Sequence, residues 1–214
     1  MKNLFKLIKR EIQISLADMS SLCSFVTLFF LGVLIFVLGF GSDISELKKL
    51  FLPIVWVVFL FSLILGAENF ITNDFNDGSL KELQFLGFSH ELIFISKSIS
   101  MWIILIFPCL IMIPIFSIMF SIQIDQLINF TLNLLIASPT LVLISLISSL
   151  LSLQVRKNRI LQFIIVLPFY VPPLIFSTSI TEKSNNFFIL IAIFFITLPI
   201  ALILSKLIFK EINR

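Results

Sequence analysis

An all-α integral membrane protein is the fold class predicted for this chain, and three observations predict it. Of its 214 residues, 59% are hydrophobic, 26 are phenylalanine and only 13% are charged, whereas soluble domains carry about a quarter charged residues. The mean hydropathy is +1.15, and the charges gather in clusters between long apolar runs. Those runs are continuous rather than alternating, as expected of helices and not of barrel strands. Little sequence is left for a soluble domain, so residues 1–214 read as a single polytopic membrane domain.

A bilayer core about 30 Å thick needs roughly 20 apolar residues in a helix. Six stretches meet this, at about 22–40, 50–71, 99–120, 130–153, 160–180 and 187–209. Only TEKSNN separates the last two, which predicts a tight helical hairpin. All eight prolines, from Pro53 to Pro199, fall within these stretches. Membrane helices tolerate proline where neighbours satisfy the freed backbone groups. The fifth stretch, with LPFYVPPLIFSTS, is the most interrupted and is expected to break near mid-membrane. There is no internal repeat, which disfavours transporters built from inverted halves.

Orientation follows from lysine and arginine. With six spans, twelve basic residues fall on one side: Lys2, Lys6, Lys9, Arg10, Lys81, Lys97, Arg156, Lys157, Arg159, Lys206, Lys210 and Arg214. Lys48, Lys49 and Lys183 fall on the other. The positive-inside bias then puts both termini in the cytoplasm. The net charge of +3 therefore serves topology rather than nucleic-acid binding. Before the first span, Leu4, Ile8, Ile12 and Leu16 recur at intervals of four, among Lys2, Lys6, Lys9, Arg10 and Gln13. This predicts a basic amphipathic helix along the inner leaflet, with a frayed tail as the alternative. Its apolar residues are interleaved with charge, unlike a cleavable signal peptide, so the first span is expected to act as an uncleaved anchor.

Catalytic chemistry is sparse. The sequence holds no G-x-x-x-x-G-K-[ST] loop, HExxH, CxxC or CxxCH, and no Ser-His-Asp set is recognisable. The chain is therefore not expected to be an enzyme. Cys23 and Cys109 lie far apart in apolar runs and read as small hydrophobes. His90, the single histidine, falls beside a span as an interfacial residue rather than a metal or haem ligand. Glu68 and Lys97 are the ionisable residues nearest membrane depth. They could pair with each other, or each could reach the interface alone. A proton-coupled carrier would be expected to hold a carboxylate or histidine nearer the middle.

The polarity missing from the spans concentrates in ITNDFNDGSLKELQFLGFSHE, residues 71–91, which holds four of the twelve acidic residues and two of the six glycines. Asp77 and Gly78 supply turn chemistry. Ser79-Leu80-Lys81-Glu82 matches an S-x-x-E capping box. Leu80, Leu83, Phe85 and Leu86 then give a short amphipathic helix closed by Gly87, and Ser89 is placed to cap the next one. So short a helix needs a packing partner. Resting on anionic headgroups is disfavoured by Asp74, Asp77, Glu82 and Glu91. The expected partner is a protein, with Leu80 and Leu83 entering an apolar groove and Asp77 and Glu82 meeting basic residues at its rim.

The stretch IVWVVFLFSLILGAENFITNDFNDGSLKELQFLGFS resembles the most recognisable part of the CcmB family, the haem exporter B permeases of cytochrome c maturation, related to ABC-2 type permeases. Trp56, Glu68, Asp74, Asp77, Gly78, Ser79, Leu80, Leu83 and Lys97 match its pattern; Lys81 stands where glutamate is usual, with Glu82 following. The similarity continues through Pro139, Arg156, Pro168, Pro172, Leu174, Ile175 and Phe176, while the small residues expected around the fourth span are largely Ser and Ile here.

The resemblance implies a permease subunit of an ABC transporter complex for cytochrome c biogenesis. Its partners would be a separate cytoplasmic ATPase of the CcmA type, CcmC- and CcmD-type membrane subunits, indirectly the haem chaperone CcmE, and a possible second copy of itself. ATP would bind the ATPase. Haem would reside on partner subunits or pass as substrate, with no cofactor held by this chain alone. The implied location is the bacterial inner membrane, or the mitochondrial one if the chain is organelle-encoded. A second function remains open, a non-transporting scaffold that relays nucleotide state to a haem-ligating partner.

Overall fold

The computed structural model describes residues 2–17, 19–40, 44–154, 159–178 and 185–212. Its elements are eight α-helices: α1 (Lys2–Ala17), α2 (Met19–Phe40), α3 (Ile44–Asn76), α4 (Ser79–Phe85), α5 (His90–Met119), α6 (Ile124–Gln154), α7 (Arg159–Thr178) and α8 (Asn185–Ile212). Five of them, α2, α3, α5, α6 and α8, are long and apolar enough to cross a membrane.

The remaining expected span, 160–180, coincides with α7, whose 20 residues extend about 30 Å at 1.5 Å per residue. Contrary to expectation, α7 is not broken near its middle. It stays helical through Pro168, Pro172 and Pro173, packed against α6. The turn expected at TEKSNN and the basic residues Arg156, Lys157, Lys183 and Arg214 lie outside the described residues.

Several helices outrun the apolar stretches read from the sequence. Helix α3 continues to Asn76 and α5 begins at His90, so residues 71–91 are not one long loop. Each extension has a local cause. Ser89 caps α5 by accepting a bond from the Leu92 amide at 3.3 Å. At the other end of α5, Ser121 takes a left-handed conformation (φ 51°), and the Ile122 amide bonds the Ser117 carbonyl at 2.9 Å. A tight turn into α6 follows.

Phenylalanine fills the centre. Phe29 of α2 is fully buried and meets Phe59 of α3 and Phe116 of α5 edge-on, with centroids 5.9 and 5.3 Å apart. Phe51 of α3 bridges to Phe120 and to Phe130 of α6 at 5.3 and 5.1 Å. Edge-to-face pairs of this kind add stabilisation beyond area alone. Within lipid, helix association rests on such packing and on polar contacts rather than on the hydrophobic effect.

Buried serines supply the polar contacts. Ser149 of α6 donates to the Ala67 carbonyl of α3 at 3.1 Å, Trp102 of α5 donates to Ser138 of α6 at 2.8 Å, and Ser145 of α6 pairs with the Tyr170 hydroxyl of α7. Three serines of the fourth apolar stretch thus join α6 to three neighbours, while Ser148 and Ser152 donate back to carbonyls of α6 itself.

Phe29→Ala removes a ring held by three helices and should cost about 3–5 kcal/mol. Thermal unfolding of the detergent-purified chain should show a lowered midpoint, without change in its helical circular dichroism at low temperature.

Candidate functional site

The polar residues assemble at one end of the bundle, around the corner where α3 gives way to α4 and α5. Gly78 turns the chain there with φ 75°, a conformation that costs residues with a Cβ but not glycine. Its carbonyl accepts the amides of Lys81 and Glu82 at 3.0 and 3.1 Å, starting α4. The expected capping box does not form. Gly78 is the N-cap, no side chain caps the helix, and Ser79 instead donates its hydroxyl back to the Asp74 carbonyl at 3.2 Å. Two turns of chemistry compete here, and the left-handed glycine wins by placing Ser79 inside the helix, pointing at α3.

The exit of α4 follows the sequence reading. Gly87 has φ 84°, its amide bonds the Gln84 carbonyl at 2.9 Å, and the Phe88 amide reaches the Leu83 carbonyl at 3.3 Å. These two bonds are the Schellman arrangement.

Leu80 and Leu83 do share a face, as their spacing requires, but that face is turned into the chain's own core, with exposures of 2% and 3%. They are anchors of α4 and not groove-entering residues. The apolar residues left outward are Phe85 and Leu86, 87% and 73% exposed, beside exposed Lys81 and Glu82; Asp77, on the corner, is exposed as well. An intramolecular contact won over an intermolecular one because α4 is tethered two residues from α3.

Behind the corner lies a buried charge cluster. Lys97 of α5 is 1% exposed, and its ammonium contacts Glu11 of α1 at 2.8 Å and the Asp74 carboxylate of α3. It also faces the Phe70 ring, 5.2 Å from the centroid, a favourable cation–π placement. Arg10, at the rim, bonds the second Glu11 oxygen at 2.9 Å. Two carboxylates thus meet two cations, which is what burial of ionised groups demands. A cavity of about 50 Å³ adjoins the cluster, with Glu11, Ser15, Asn73 and Asp74 among its walls.

This geometry corrects two sequence expectations. Asp74 belongs to the last turn of α3 rather than to an outward loop. Lys97 is buried instead of reaching the interface alone, with Glu11 and Asp74 among its partners, and Glu68 is buried in α3 fewer than two turns before Asp74. Glu11 was missed by sequence reasoning, although a signal existed: it falls at helical spacing with Leu4, Leu7 and Ile8. The buried face of α1 carries Leu7 and Glu11, not the expected stripe through Ile12 and Leu16; Leu16 and Phe5 are exposed. A further hydrogen bond, from Ser100 to the Ile8 carbonyl at 3.2 Å, fixes the same face.

Helix α8 closes this end. Lys206 meets Glu91 at 3.1 Å, and the His90 ring stacks on Phe209 with centroids 5.6 Å apart. His90 therefore serves packing between α5 and α8. Among the described residues, no group of three or more His, Cys, Asp or Glu side chains is placed to hold a metal ion.

A bundle of apolar helices longer than a bilayer, with one folded polar corner, defines a multi-pass α-helical membrane protein. The chain belongs to the CcmB protein family, which matches residues 2–208. It is 29% identical to heme exporter protein B of Haemophilus influenzae over 180 residues, covering 84% of this chain and 81% of that one. Heme exporter protein B of Pseudomonas aeruginosa is 25% identical over 86% of this chain and 83% of its own. A cytochrome c biogenesis ccmB-like mitochondrial protein of Marchantia polymorpha is 27% identical over 91% of this chain and 72% of its own.

Replacing Gly87 by alanine should raise the cost of the left-handed turn by about 1–2 kcal/mol, because no neighbour lies within 4 Å of the added methyl and only backbone strain changes. Hydrogen exchange of the α4 amides should accelerate, with exchange in α6 unchanged.

Proposed function

We propose that this chain is the membrane permease subunit of an ABC-type complex for cytochrome c biogenesis, and that α4 receives the force of ATP hydrolysis from a separate cytoplasmic ATPase. The observation that carries this is the corner itself. A seven-residue helix is unstable alone, yet α4 is closed by glycine turns at both ends and pinned by two buried leucines. Such a rigid element presenting Phe85 and Leu86 outward suits docking in an apolar groove of a partner. Large exposed apolar side chains beside charge are the composition of an interaction site.

Family membership supports the assignment to haem handling, since the bacterial relatives bear the name heme exporter protein B. The haem itself would be held by partner subunits or pass as cargo. The one histidine is committed to a stack against Phe209, and a single histidine offers no bis-histidine pair. CcmC- and CcmD-type subunits are the membrane partners this reading requires, and release of a loaded CcmE-type chaperone is the step that hydrolysis would drive.

Six crossings with both termini in the cytoplasm fit this scheme. Glu11 of α1, Asp74 near the end of α3, the start of α5 and Lys206 near the end of α8 all meet at one end of the bundle. An even number of traverses between α1 and the end of α8 supports counting α7 as a crossing. The outer face of α1, with Phe5 and Leu16 exposed among Lys6 and Lys9, suits the inner leaflet surface.

Truncating the outward pair, Phe85→Ala with Leu86→Ala, should weaken ATPase binding about tenfold or more, as a docked apolar anchor is worth about 2 kcal/mol. The protein should still insert at parental levels, while co-purified ATPase and mature c-type cytochromes fall together. Parental binding by the double variant would remove α4 from the coupling path. Separately, a cysteine at Lys81 in a background lacking Cys23 and Cys109 should resist a membrane-impermeant maleimide in intact cells and react once the membrane is opened. Labelling from outside would invert the topology.

A further inference from the structure

We propose that Lys97 is a positioning residue that makes α1, α4 and the adjoining ends of α3 and α5 move as one body, so that displacement of α4 is carried to α1. This rests on the reading of α4 as the ATPase-facing element and adds to it a second moving part.

Three chain segments far apart in sequence converge on one ammonium. Glu11 lies 86 residues from Lys97 and Asp74 lies 23 residues from it. Asp74 is also the residue to which α4 is tied, because its carbonyl accepts the Ser79 hydroxyl. Movement of α4 therefore pulls first on Asp74. From Asp74 the path runs through Lys97 to Glu11, and the bond from Ser100 to the Ile8 carbonyl provides a parallel tether.

Glu11 and Lys97 are 2% and 1% exposed. Separating them would strand charge in a site from which solvent is largely excluded, which is strongly unfavourable. Against α6 the group is held by neutral hydrogen bonds such as Ser149 to the Ala67 carbonyl and Trp102 to Ser138, which cost less to break than a buried ion pair. The opposite surface of α1 is exposed at Phe5, Lys9, Gln13 and Leu16, so within the described chain its place is set from the Lys97 side. Helix α1 leads after one residue into α2, which carries the motion into the membrane.

The test is distance measurement by paired spin labels on the lipid-reconstituted chain bound to its ATPase, in a background lacking Cys23 and Cys109. Labels at Gln13→Cys and Lys81→Cys report on α1 and α4; Ile124→Cys, 74% exposed at the start of α6, is the reference. The 13–81 distance should be narrow and unchanged by a non-hydrolysable ATP analogue, while both the 13–124 and 81–124 distances shift. Lys97→Met should broaden 13–81 and abolish the nucleotide response at 13–124 while sparing 81–124.

Lys97→Glu alone gathers three carboxylates, and Glu11→Lys alone sets two ammoniums against one carboxylate. Both should broaden 13–81. The double exchange restores two carboxylates around one ammonium and should restore the narrow distribution, an outcome that loss of general stability does not explain. A 13–81 distance that shifts with nucleotide in the parent, or a swap that fails to recover the narrow distribution, overturns the proposal. Should the ATPase fail to bind, or the reference distances stay fixed, the reading of α4 is at fault. The nucleotide-free distributions of the parent, the single exchanges and the swap still decide the role of Lys97.

Discussion

One buried ammonium holds this end of the molecule together. Lys97 lies within an otherwise apolar helix, where an unpaired charge would be expelled or neutralised. It stays because α1 delivers Glu11 and α3 delivers Asp74. The dependence is mutual. Without Lys97, two carboxylates would face each other inside the bundle, and α1 would lose the contact that selects its buried face. The extension of α3 beyond its apolar stretch has the same origin, since the last helical turn must continue far enough to carry Asp74 to the cluster.

From that anchor the corner can be short and rigid. Gly78 and Gly87 reverse the chain on either side of α4, and Leu80 and Leu83 seal it onto the bundle. What remains outside is a small surface of Phe85 and Leu86 with Lys81, Glu82 and Asp77 around it. A flexible loop with the same residues would lose much of any applied force to its own rearrangement. The bundle beneath is stiffened by aromatic rings and serine hydroxyls that interlock α2, α3, α5 and α6.

Much of this was legible in the sequence, and the exceptions share a cause. Continuous apolar runs gave the helical membrane class, and turn residues gave α4, its glycine exit and the Ser89 cap, because those signals are local. The orientation of Leu80 and Leu83 was not local. Spacing says that they share a face but not whether that face meets the parent bundle or a partner. Glu11 was overlooked and Asp74 placed in a loop for a related reason: helical spacing puts Glu11 on a face with Leu4, Leu7 and Ile8, but nothing local names a partner 86 residues away. The capping box failed because a left-handed glycine one residue earlier moved the helix start. The fifth apolar stretch was read as broken, but proline alone does not break a helix whose neighbours hold it.

The central claim is that the outward tip of α4 contacts an ATPase. The most direct measurement is photo-crosslinking from a photoreactive phenylalanine analogue at position 85 in native membranes, with the adduct identified by peptide mass spectrometry. The account predicts a nucleotide-sensitive adduct to a P-loop ATPase subunit, at residues lining an apolar groove. Adducts confined to lipid or to other membrane subunits, with the ATPase present and active in the same membranes, would contradict it.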